Sequence, residues 1–258
     1  MFEVFNRPPA DPLELPLAVG PWPAILIVAA YLLFVLKVGR QFMEHRQPYD
    51  LNKVLKVYNL IQIVYNGALF IFISYVLLVL KPYKLSCIMV LPMDHPVKPF
   101  EQAVSYAYYL NKILDLMDTV FMVLRKNYRQ ITMLHLLHHS IMVVAVYAGI
   151  RFNGYGGHFT IMGTFNVFVH AVMYSYYYIS SQKRTVSQNP TWKQYITILQ
   201  MIQFFTVMLH SVYTLMQPNC DVPLMAIAAV LAMGSLMVVM FTNFYIHTYI
   251  LPKKAKQK

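Results

Sequence analysis

Residues 57–80 read VYNLIQIVYNGALFIFISYVLLVL, a run without Asp, Glu, Lys or Arg. A helix needs about 20 mostly apolar residues to cross the hydrocarbon core of a bilayer, so this run predicts a transmembrane helix. Six more segments have the same character, and the seven segments together are 22–38, 57–80, 105–124, 131–149, 160–179, 194–216 and 223–250. We therefore expect an all-α integral membrane protein with seven transmembrane helices, forming a single domain over residues 1–258.

The composition agrees with a membrane protein. The chain is 58% hydrophobic and 12% charged, against roughly 25% charged residues in an ordinary soluble domain. Its mean hydropathy is +0.49. A soluble fold of this size could not bury so much apolar surface, which excludes a soluble enzyme, a disordered chain and a disulfide-dense secreted module. The net charge of +11 comes from basic residues between the apolar segments, which indicates membrane topology rather than a nucleic-acid partner.

The distribution of basic residues predicts the orientation. Most of the 21 lysine and arginine residues fall on the cytosolic side if the N-terminus is luminal and the C-terminus cytosolic. Cys87 and Cys220 then both face the lumen, where a disulfide between them is permitted. Near the end of the chain, Lys254 and Lys256 resemble a dilysine retrieval signal, which favours the endoplasmic reticulum membrane.

Ionisable side chains inside spanning segments are costly and are functional candidates by default. Segment 105–124 carries Lys112, Asp115, Asp118 and Thr119. At 100° per residue, Lys112, Asp115 and Thr119 fall on one stripe, with Asp118 further round the helix. A paired lysine and aspartate could serve packing alone, but such a pair gives no reason for the second carboxylate.

Further polar side chains lie in the next three segments. Segment 131–149 begins with the histidine box of His135, His138 and His139 on one arc. The remaining candidates are Asn166, His170, Tyr174 and Tyr177 in segment 160–179, and Thr197, Gln200 and Gln203 in segment 194–216, with His210 two turns deeper. Together the four segments predict one chamber in the cytosolic half of the membrane, with a polar mouth and an apolar depth that suit an amphiphile.

Histidine can act as a base, an acid or an acyl-accepting nucleophile near neutral pH. Asp118 could orient a histidine, and Asn166 could donate a hydrogen bond to a developing oxyanion. Two alternatives stay open at this point. HxxHH also occurs in membrane di-iron desaturases and hydroxylases, although those need several such boxes, and we expect no metal site here. A seven-helix receptor or transporter would share the topology but would place its polar residues in a luminal pocket or a through-path.

Four motifs resemble those of the very-long-chain fatty-acid elongase (ELO) family, from about residue 50 to the end of the chain. They are Lys112-Ile-Leu-Asp115-Leu-Met-Asp118-Thr119 for KxxExxDT, the HxxHH box at 135–139, Asn166-Val-Phe-Val-His170-Ala-Val-Met173-Tyr174 for NxxxHxxMY, and Thr197-Ile-Leu-Gln200-Met-Ile-Gln203 for TxxQxxQ. The chain departs from the family pattern in having Asp115 in place of glutamate and Val144 where many members have proline.

The resemblance implies a 3-oxoacyl-CoA synthase with no cofactor. Its substrates would be a long-chain acyl-CoA and malonyl-CoA, and its active site would open to the cytosol. Segments two to seven would enclose the acyl-CoA tunnel, with the first helix outside. The catalytic candidates are His135, His138, His139, His170, Asp118 and Asn166. The candidates for substrate binding are Lys112, Asp115, Thr119, Tyr174, Tyr177, Gln200 and Gln203. A homodimer and contacts with other elongation-cycle enzymes are left open.

Overall fold

The computed structural model describes residues 8–183, 186 and 189–251. The helices that build the site, numbered in chain order, are α1 (Pro21–Met43), α2 (Asn52–Leu80), α3 (Lys98–Leu114), α4 (Met117–Leu124), α5 (Met133–Asn153), α6 (Phe159–Gln182), α7 (Pro190–Leu215) and α8 (Leu224–Ile250). The described residues contain no strand, only an isolated bridge between Lys84 and Cys87. Lys254 and Lys256 lie outside the described residues.

The helices cover all seven predicted segments, with α3 and α4 sharing the third. Five of them, α1, α2, α5, α7 and α8, are long and apolar enough to cross a membrane. The protein is therefore all-helical and spans the membrane several times. The third segment falls short because it is divided into two helices, and α6 because many of its side chains are polar.

Contacts between loops show which ends of the helices lie together. At one end, which we call the disulfide end, Cys87 and Cys220 form a disulfide, and the amide of Ala10 donates to the carbonyl of Arg151. At the other end, which we call the histidine end, the amide of Tyr49 donates to the carbonyl of Leu124. The loops that follow α1 and α4 therefore lie at the histidine end, and those that follow α2, α5 and α7 lie at the disulfide end.

Helix packing closes a ring. In order around it, α2 packs on α6, α6 on α7, α7 on α8, α8 on α5, α5 on α3, and α3 on α2. Helix α1 lies outside the ring, against α5 and α4. It buries Ala24 and Tyr31 toward the ring, whereas Trp22 and Leu26 are exposed. An apolar outer face of this kind suits contact with lipid.

The start of α5 is fixed by a side-chain cap. Oγ1 of Thr132, in extended backbone, accepts a hydrogen bond from the amide of His135 at 3.2 Å. A threonine at this position satisfies an otherwise unpaired amide of the first turn. Because the cap sets where the helix begins, it also sets the rotation of the histidine box about the helix axis.

At the boundary between α3 and α4, side chains that were predicted to lie on one stripe point in two directions. The amides of Leu116, Asp118 and Thr119 each donate to the carbonyl three residues earlier, at 3.2–3.3 Å. Such bonds wind the chain more tightly than an α-helix does. The consequence is visible in the contacts: Asp115 faces α2 and α6, while Thr119 faces α1 and α5.

Candidate active site

A buried ion pair lies at the centre of the ring. Nζ of Lys112 is 2.7 Å from Oδ2 of Asp115, and both side chains are almost completely buried. Two charges removed from water are tolerated only when they are paired and their remaining polar atoms are satisfied. The spacing of three residues on α3 brings the pair together within one helical turn.

The remaining polar contacts of Asp115 come from α2 and α6. Nε2 of Gln62 donates to Oδ1 at 2.8 Å, and the hydroxyl of Tyr174 lies 3.2 Å from the same oxygen. Nδ1 of His170 lies 3.5 Å from Oδ2. The carboxylate therefore joins a cation, an amide, a phenol and an imidazole from three helices.

Asp118 shares Tyr174 with Asp115. Its Oδ2 accepts a hydrogen bond of 2.7 Å from the hydroxyl of Tyr174, so Tyr174 bridges the two aspartates. In this structure the carboxylate nearest to a candidate histidine belongs to Asp115, which lies beside His170. The catalytic role that we expected for Asp118 stays a prediction.

The three histidines of the box lie close together on α5. The ring centroids of His135 and His139 are 4.3 Å apart, and those of His138 and His139 are 5.4 Å apart. His139 is buried, whereas His135 and His138 are partly exposed. The ring of His138 also approaches that of Phe241 on α8, at 6.5 Å.

Asn166 faces the ion pair with its carbonyl oxygen. Oδ1 accepts hydrogen bonds from Nζ of Lys112 at 2.8 Å and from the hydroxyl of Tyr108 at 3.0 Å. Because both partners are donors, the oxygen must point toward them. The NH₂ group of Asn166 then points elsewhere, and among the contacts of the described residues it has no acceptor. It can donate to a bound molecule.

The other predicted residues are placed around this centre. Gln203 is buried, and Nε2 of Gln200 lies 4.0 Å from the sulfur of Met173. Tyr177 contacts Tyr174 edge to face but is 41% exposed. His210 lies at the disulfide end, where its Nε2 is 2.8 Å from the carbonyl of Leu85, and not in the polar chamber.

Sequence reasoning missed the polar side chains of α2. Gln62 receives hydrogen bonds at Oε1 from Nδ2 of Asn66 and Nδ2 of Asn111, and its Nε2 also reaches the hydroxyl of Tyr58. All four of these residues are buried. Tyr58, Gln62 and Asn66 are spaced four residues apart in a segment, 57–80, that has no charged residue. This spacing on one helix face was the signal that could have revealed them.

A cavity of about 700 Å³ lies beside the polar centre, to which Tyr108 of its wall is hydrogen-bonded, and its volume is within the range of about 300–1,000 Å³ typical of ligand sites. Tyr108, one turn from Lys112, and Met142, one turn from the histidine box, lie in its wall. The wall is mostly apolar, and its members include Ile73, Phe100, Val104, Val146, Gly149, Phe159, Gly163, Ala226, Ala229, Val230 and Met233.

A second buried ionic cluster lies where the cavity reaches the disulfide end. Nζ of Lys98 is 3.1 Å from Asp11 and 3.0 Å from Glu101. Burial, together with the nearby charge of Glu101, raises the pKa of Tyr83, so its hydroxyl stays protonated and donates to Glu101 at 2.6 Å. Gly156 has φ +88°, and a Cβ there would collide with the Glu101 carboxylate. Tyr83 and Glu101 both line the cavity.

The donor groups of a metal site are not assembled. Within residues 8–183, 186 and 189–251, no three or more His, Cys, Asp or Glu side chains are grouped so that they could hold a metal ion. The histidine box is instead surrounded by a threonine, other histidines and aromatic rings.

Fold and site together define a multi-pass membrane protein whose helical ring holds a buried histidine–carboxylate centre beside an apolar cavity. The family model described as ELO, the GNS1/SUR4 family, matches residues 16–257. The chain belongs to this family.

Named relatives resemble the chain along most of its length. It is 43% identical over 250 residues to very long chain fatty acid elongase F of Drosophila melanogaster, and the match covers 97% of each chain. It is 36% identical to very long chain fatty acid elongase 7 of the same species, over 92% of this chain and 71% of the relative. It is 34% identical to very long chain fatty acid elongase 4 of Homo sapiens, over 93% of this chain and 76% of the relative.

Proposed function

We propose that the protein is a condensing enzyme of fatty-acid elongation. It joins a long-chain acyl-CoA to malonyl-CoA and gives a 3-oxoacyl-CoA two carbons longer, CO₂ and free CoA. The observation that carries the proposal is the position of the histidine–carboxylate centre beside a mostly apolar cavity, with Tyr108 in contact with both. Family membership and the names of the relatives support fatty-acid elongation as the process.

The cavity fits the acyl chain of this substrate. An acyl tail gains free energy from an apolar wall in proportion to the area it buries, at roughly 25 cal/mol per Å². The thioester at the head of the tail then reaches Tyr108 and Met142, where the polar centre begins. The Lys112 ammonium and the basic residues of the histidine end provide positive charge for the phosphates of CoA.

We propose a reaction in two steps. An imidazole nitrogen of His138 attacks the thioester carbonyl, the C–S bond breaks, and CoA leaves after taking a proton. Malonyl-CoA then loses its carboxylate as CO₂, and the resulting enolate attacks the acyl carbon. The new C–C bond forms as the C–N bond to His138 breaks, which regenerates the imidazole. His139 and His170 handle protons, and the free NH₂ group of Asn166 donates to the oxyanion.

Asp115 and Asp118 support this chemistry indirectly, through the residues that they contact. Asp115 holds Lys112 and lies beside His170, so it fixes the cation and stabilises positive charge on that ring. Tyr174 links Asp115 to Asp118. A one-step condensation, in which the histidines act only as bases, is the mechanistic alternative.

The proposed setting is the endoplasmic reticulum membrane. Seven spans, a luminal N-terminus and a cytosolic C-terminus would place the disulfide end in the lumen and the histidine end toward the cytosol, where acyl-CoA and malonyl-CoA enter. The basic residues of the loops support this orientation. Tagging each loop for protease protection in sealed microsomes tests it, and protection of the 44–51 loop would contradict it.

Condensation is tested in a host that lacks its own elongases. The wild-type chain, His138→Ala and the control His247→Ala are expressed to equal levels, and microsomes receive a long-chain acyl-CoA and labelled malonyl-CoA. His247 is exposed and lies near the end of α8, outside the site. We expect labelled 3-oxoacyl-CoA from wild type and His247→Ala and none from His138→Ala. Full activity in His138→Ala would contradict its role as nucleophile.

The covalent step has its own test. Purified protein is mixed with acyl-CoA without malonyl-CoA, and the intact mass is measured. We expect one added acyl group on wild type, its removal when malonyl-CoA follows, and no addition to His138→Ala. An active enzyme that never carries the acyl group would instead indicate the one-step reaction.

A further inference from the structure

We propose that Tyr31, on the helix outside the ring, is a positioning residue for the histidine box. Its hydroxyl acts through Thr119 and fixes which ring nitrogen of His135 carries the proton. The consequence for catalysis rests on the function proposed above, whereas the effect on the histidine ring can be measured without it.

Three side chains from three helices form a continuous line of hydrogen bonds. The hydroxyl of Tyr31 lies 2.8 Å from Oγ1 of Thr119, and the same Oγ1 lies 2.8 Å from Nε2 of His135. Tyr31 is 6% exposed and Thr119 is fully buried. Water therefore has no access to Thr119, and its hydroxyl must find its partners among these groups.

The direction of the bonds follows from counting protons. A threonine hydroxyl has one proton to donate. Among the contacts of the described residues, Thr119 is the acceptor available to the buried phenol of Tyr31, so Tyr31 donates to Oγ1. The proton of Thr119 is then directed to Nε2 of His135, which must accept. A neutral His135 consequently carries its proton on Nδ1.

Contacts before α1 and near its end hold the segment that carries Tyr31. Asp11, ten residues before the start of α1, lies 3.1 Å from the buried ammonium of Lys98. At the histidine end, the guanidinium of Arg40 lies over the ring of Tyr128 at 5.2 Å. Sliding of α1 along the ring of helices would break the contact between Arg40 and Tyr128, so this contact helps to keep the hydroxyl of Tyr31 in register with Thr119.

Packing alone does not account for the tyrosine. The other side chains that α1 buries are the apolar Ala24, Val35 and Met43, and a phenylalanine at residue 31 would fill the same space. The hydroxyl is the part of α1 that reaches the polar centre. Because His135 contacts His139, and His139 contacts His138, the orientation of the first ring constrains the other two.

The kinetic test compares Tyr31→Phe, Thr119→Val, the double variant and Thr119→Ser. We expect kcat for condensation to fall about tenfold in Tyr31→Phe and Thr119→Val, since misdirected proton transfer affects the chemical step rather than binding. In Tyr31→Phe, KM for both substrates should stay within about twofold of wild type, as uniform binding is untouched. The double variant should be no slower than Thr119→Val, and Thr119→Ser, which keeps the hydroxyl, should recover wild-type kcat.

Tyr147→Phe is the matched control. Tyr147 is buried like Tyr31, and its hydroxyl has no hydrogen-bond partner in the described part of the chain. Removing that hydroxyl should leave kcat unchanged. If Tyr31→Phe behaves like Tyr147→Phe, or if its loss of activity only mirrors a smaller amount of folded protein, the proposal is wrong.

A spectroscopic measurement tests the role of Tyr31 independently of the proposed enzymatic function. The protein is labelled with ¹⁵N-histidine and placed in lipid vesicles, and the His135 signals are assigned by difference from His135→Gln. We expect the Nδ1–H tautomer in wild type and Tyr147→Phe, and a mixture of tautomers in Tyr31→Phe. The same tautomer in all three proteins would overturn the proposal. A wild-type protein without condensation activity would overturn the proposed function, while the spectra still decide on Tyr31.

Discussion

Nδ1 of His170 lies 3.5 Å from Oδ2 of Asp115. The same oxygen is 2.7 Å from Nζ of Lys112. One carboxylate oxygen thus connects the histidine of α6 to the cation of α3, and the two helices lie on different sides of the centre. Any change at Asp115 is expected to act on charge balance and on histidine geometry together.

Replacing Asp115 with asparagine should damage both stability and activity. The Lys112 ammonium would remain buried without its counter-charge, and breaking a buried pair in this way costs about 3–5 kcal/mol of unfolding free energy. Thermal unfolding of the protein in detergent, with condensation measured in parallel, checks this. Asp115→Glu keeps the charge and should retain part of both.

A double variant distinguishes the unpaired charge from the loss of the aspartate itself. Lys112→Met combined with Asp115→Asn removes both charges, so it should be more stable than Asp115→Asn alone while remaining inactive. Equal stability of the single and double variants would show that the ion pair does not govern stability here.

Gln62→Leu should weaken the centre from the side of α2. The change removes the donor to Asp115 and leaves the amide of Asn111 without its acceptor, while Asn66 keeps its bond to the backbone carbonyl of residue 62. An unsatisfied buried group costs about 1–3 kcal/mol, so we expect a loss of at least about 1 kcal/mol and reduced condensation. Gln41→Leu, on the exposed end of α1, should leave both measurements unchanged; a Gln62→Leu protein as stable as this control would refute the prediction.

The charged part of the centre was visible in the sequence for a physical reason. Lys112 and Asp115 are expensive inside a membrane segment, so their presence there requires an explanation. The histidine box, Asn166 and His170 were found in the same way. The structure brings Lys112, Asp115, Asn166 and His170 into direct contact.

The neutral part of the site could not be predicted as easily. Gln62, Asn66 and Tyr31 carry no charge, cost less to bury, and occur in long apolar segments as ordinary variation. The direction in which the Thr119 side chain points could not be predicted either, because a regular helix places it on the stripe of Asp115. The tighter turn between α3 and α4 separates the two, and no proline or glycine in residues 112–119 marks it.

Filling the cavity should shorten the acyl chains that the protein accepts. Gly163 lines the cavity, and a Cβ built there meets nothing within 4 Å, so Gly163→Leu should occupy apolar space without backbone strain. We expect the longest product to become at least one elongation step shorter, measured by product profiling. Gly67 also has open space around its Cβ but lies on α2 outside the cavity wall. Gly67→Leu should leave the products unchanged, and a shortening in both variants would argue against this cavity as the acyl site.

Acid should destabilise the disulfide end through His158, which precedes α6. Burial, together with the nearby charge of His210, lowers the pKa of His158 to about 4. The pKa of a histidine in an unfolded chain is about 6.5. Between these values the unfolded chain binds a proton that the folded chain does not, so stability falls as pH decreases below about 6.5. At a pH of about 5 the loss from this group should reach about 2 kcal/mol.

Melting curves at neutral and acidic pH check this behaviour. His158→Gln cannot titrate and should lose less stability on acidification than wild type, while His247→Gln, at an exposed histidine, should follow wild type. An identical acid response in His158→Gln and wild type would exclude His158 as the titrating group.

We propose that this protein couples decarboxylation of malonyl-CoA to extension of an acyl chain. The most direct measurement uses purified protein in lipid vesicles, a long-chain acyl-CoA, and malonyl-CoA labelled in its free carboxyl group, and it follows released CO₂ and 3-oxoacyl-CoA in the same reaction. We predict equal amounts of the two products, formed only when both substrates are present and absent in His138→Ala. Release of CO₂ without an extended acyl-CoA, or no release of CO₂ with any long-chain acyl-CoA, would contradict the proposed condensation.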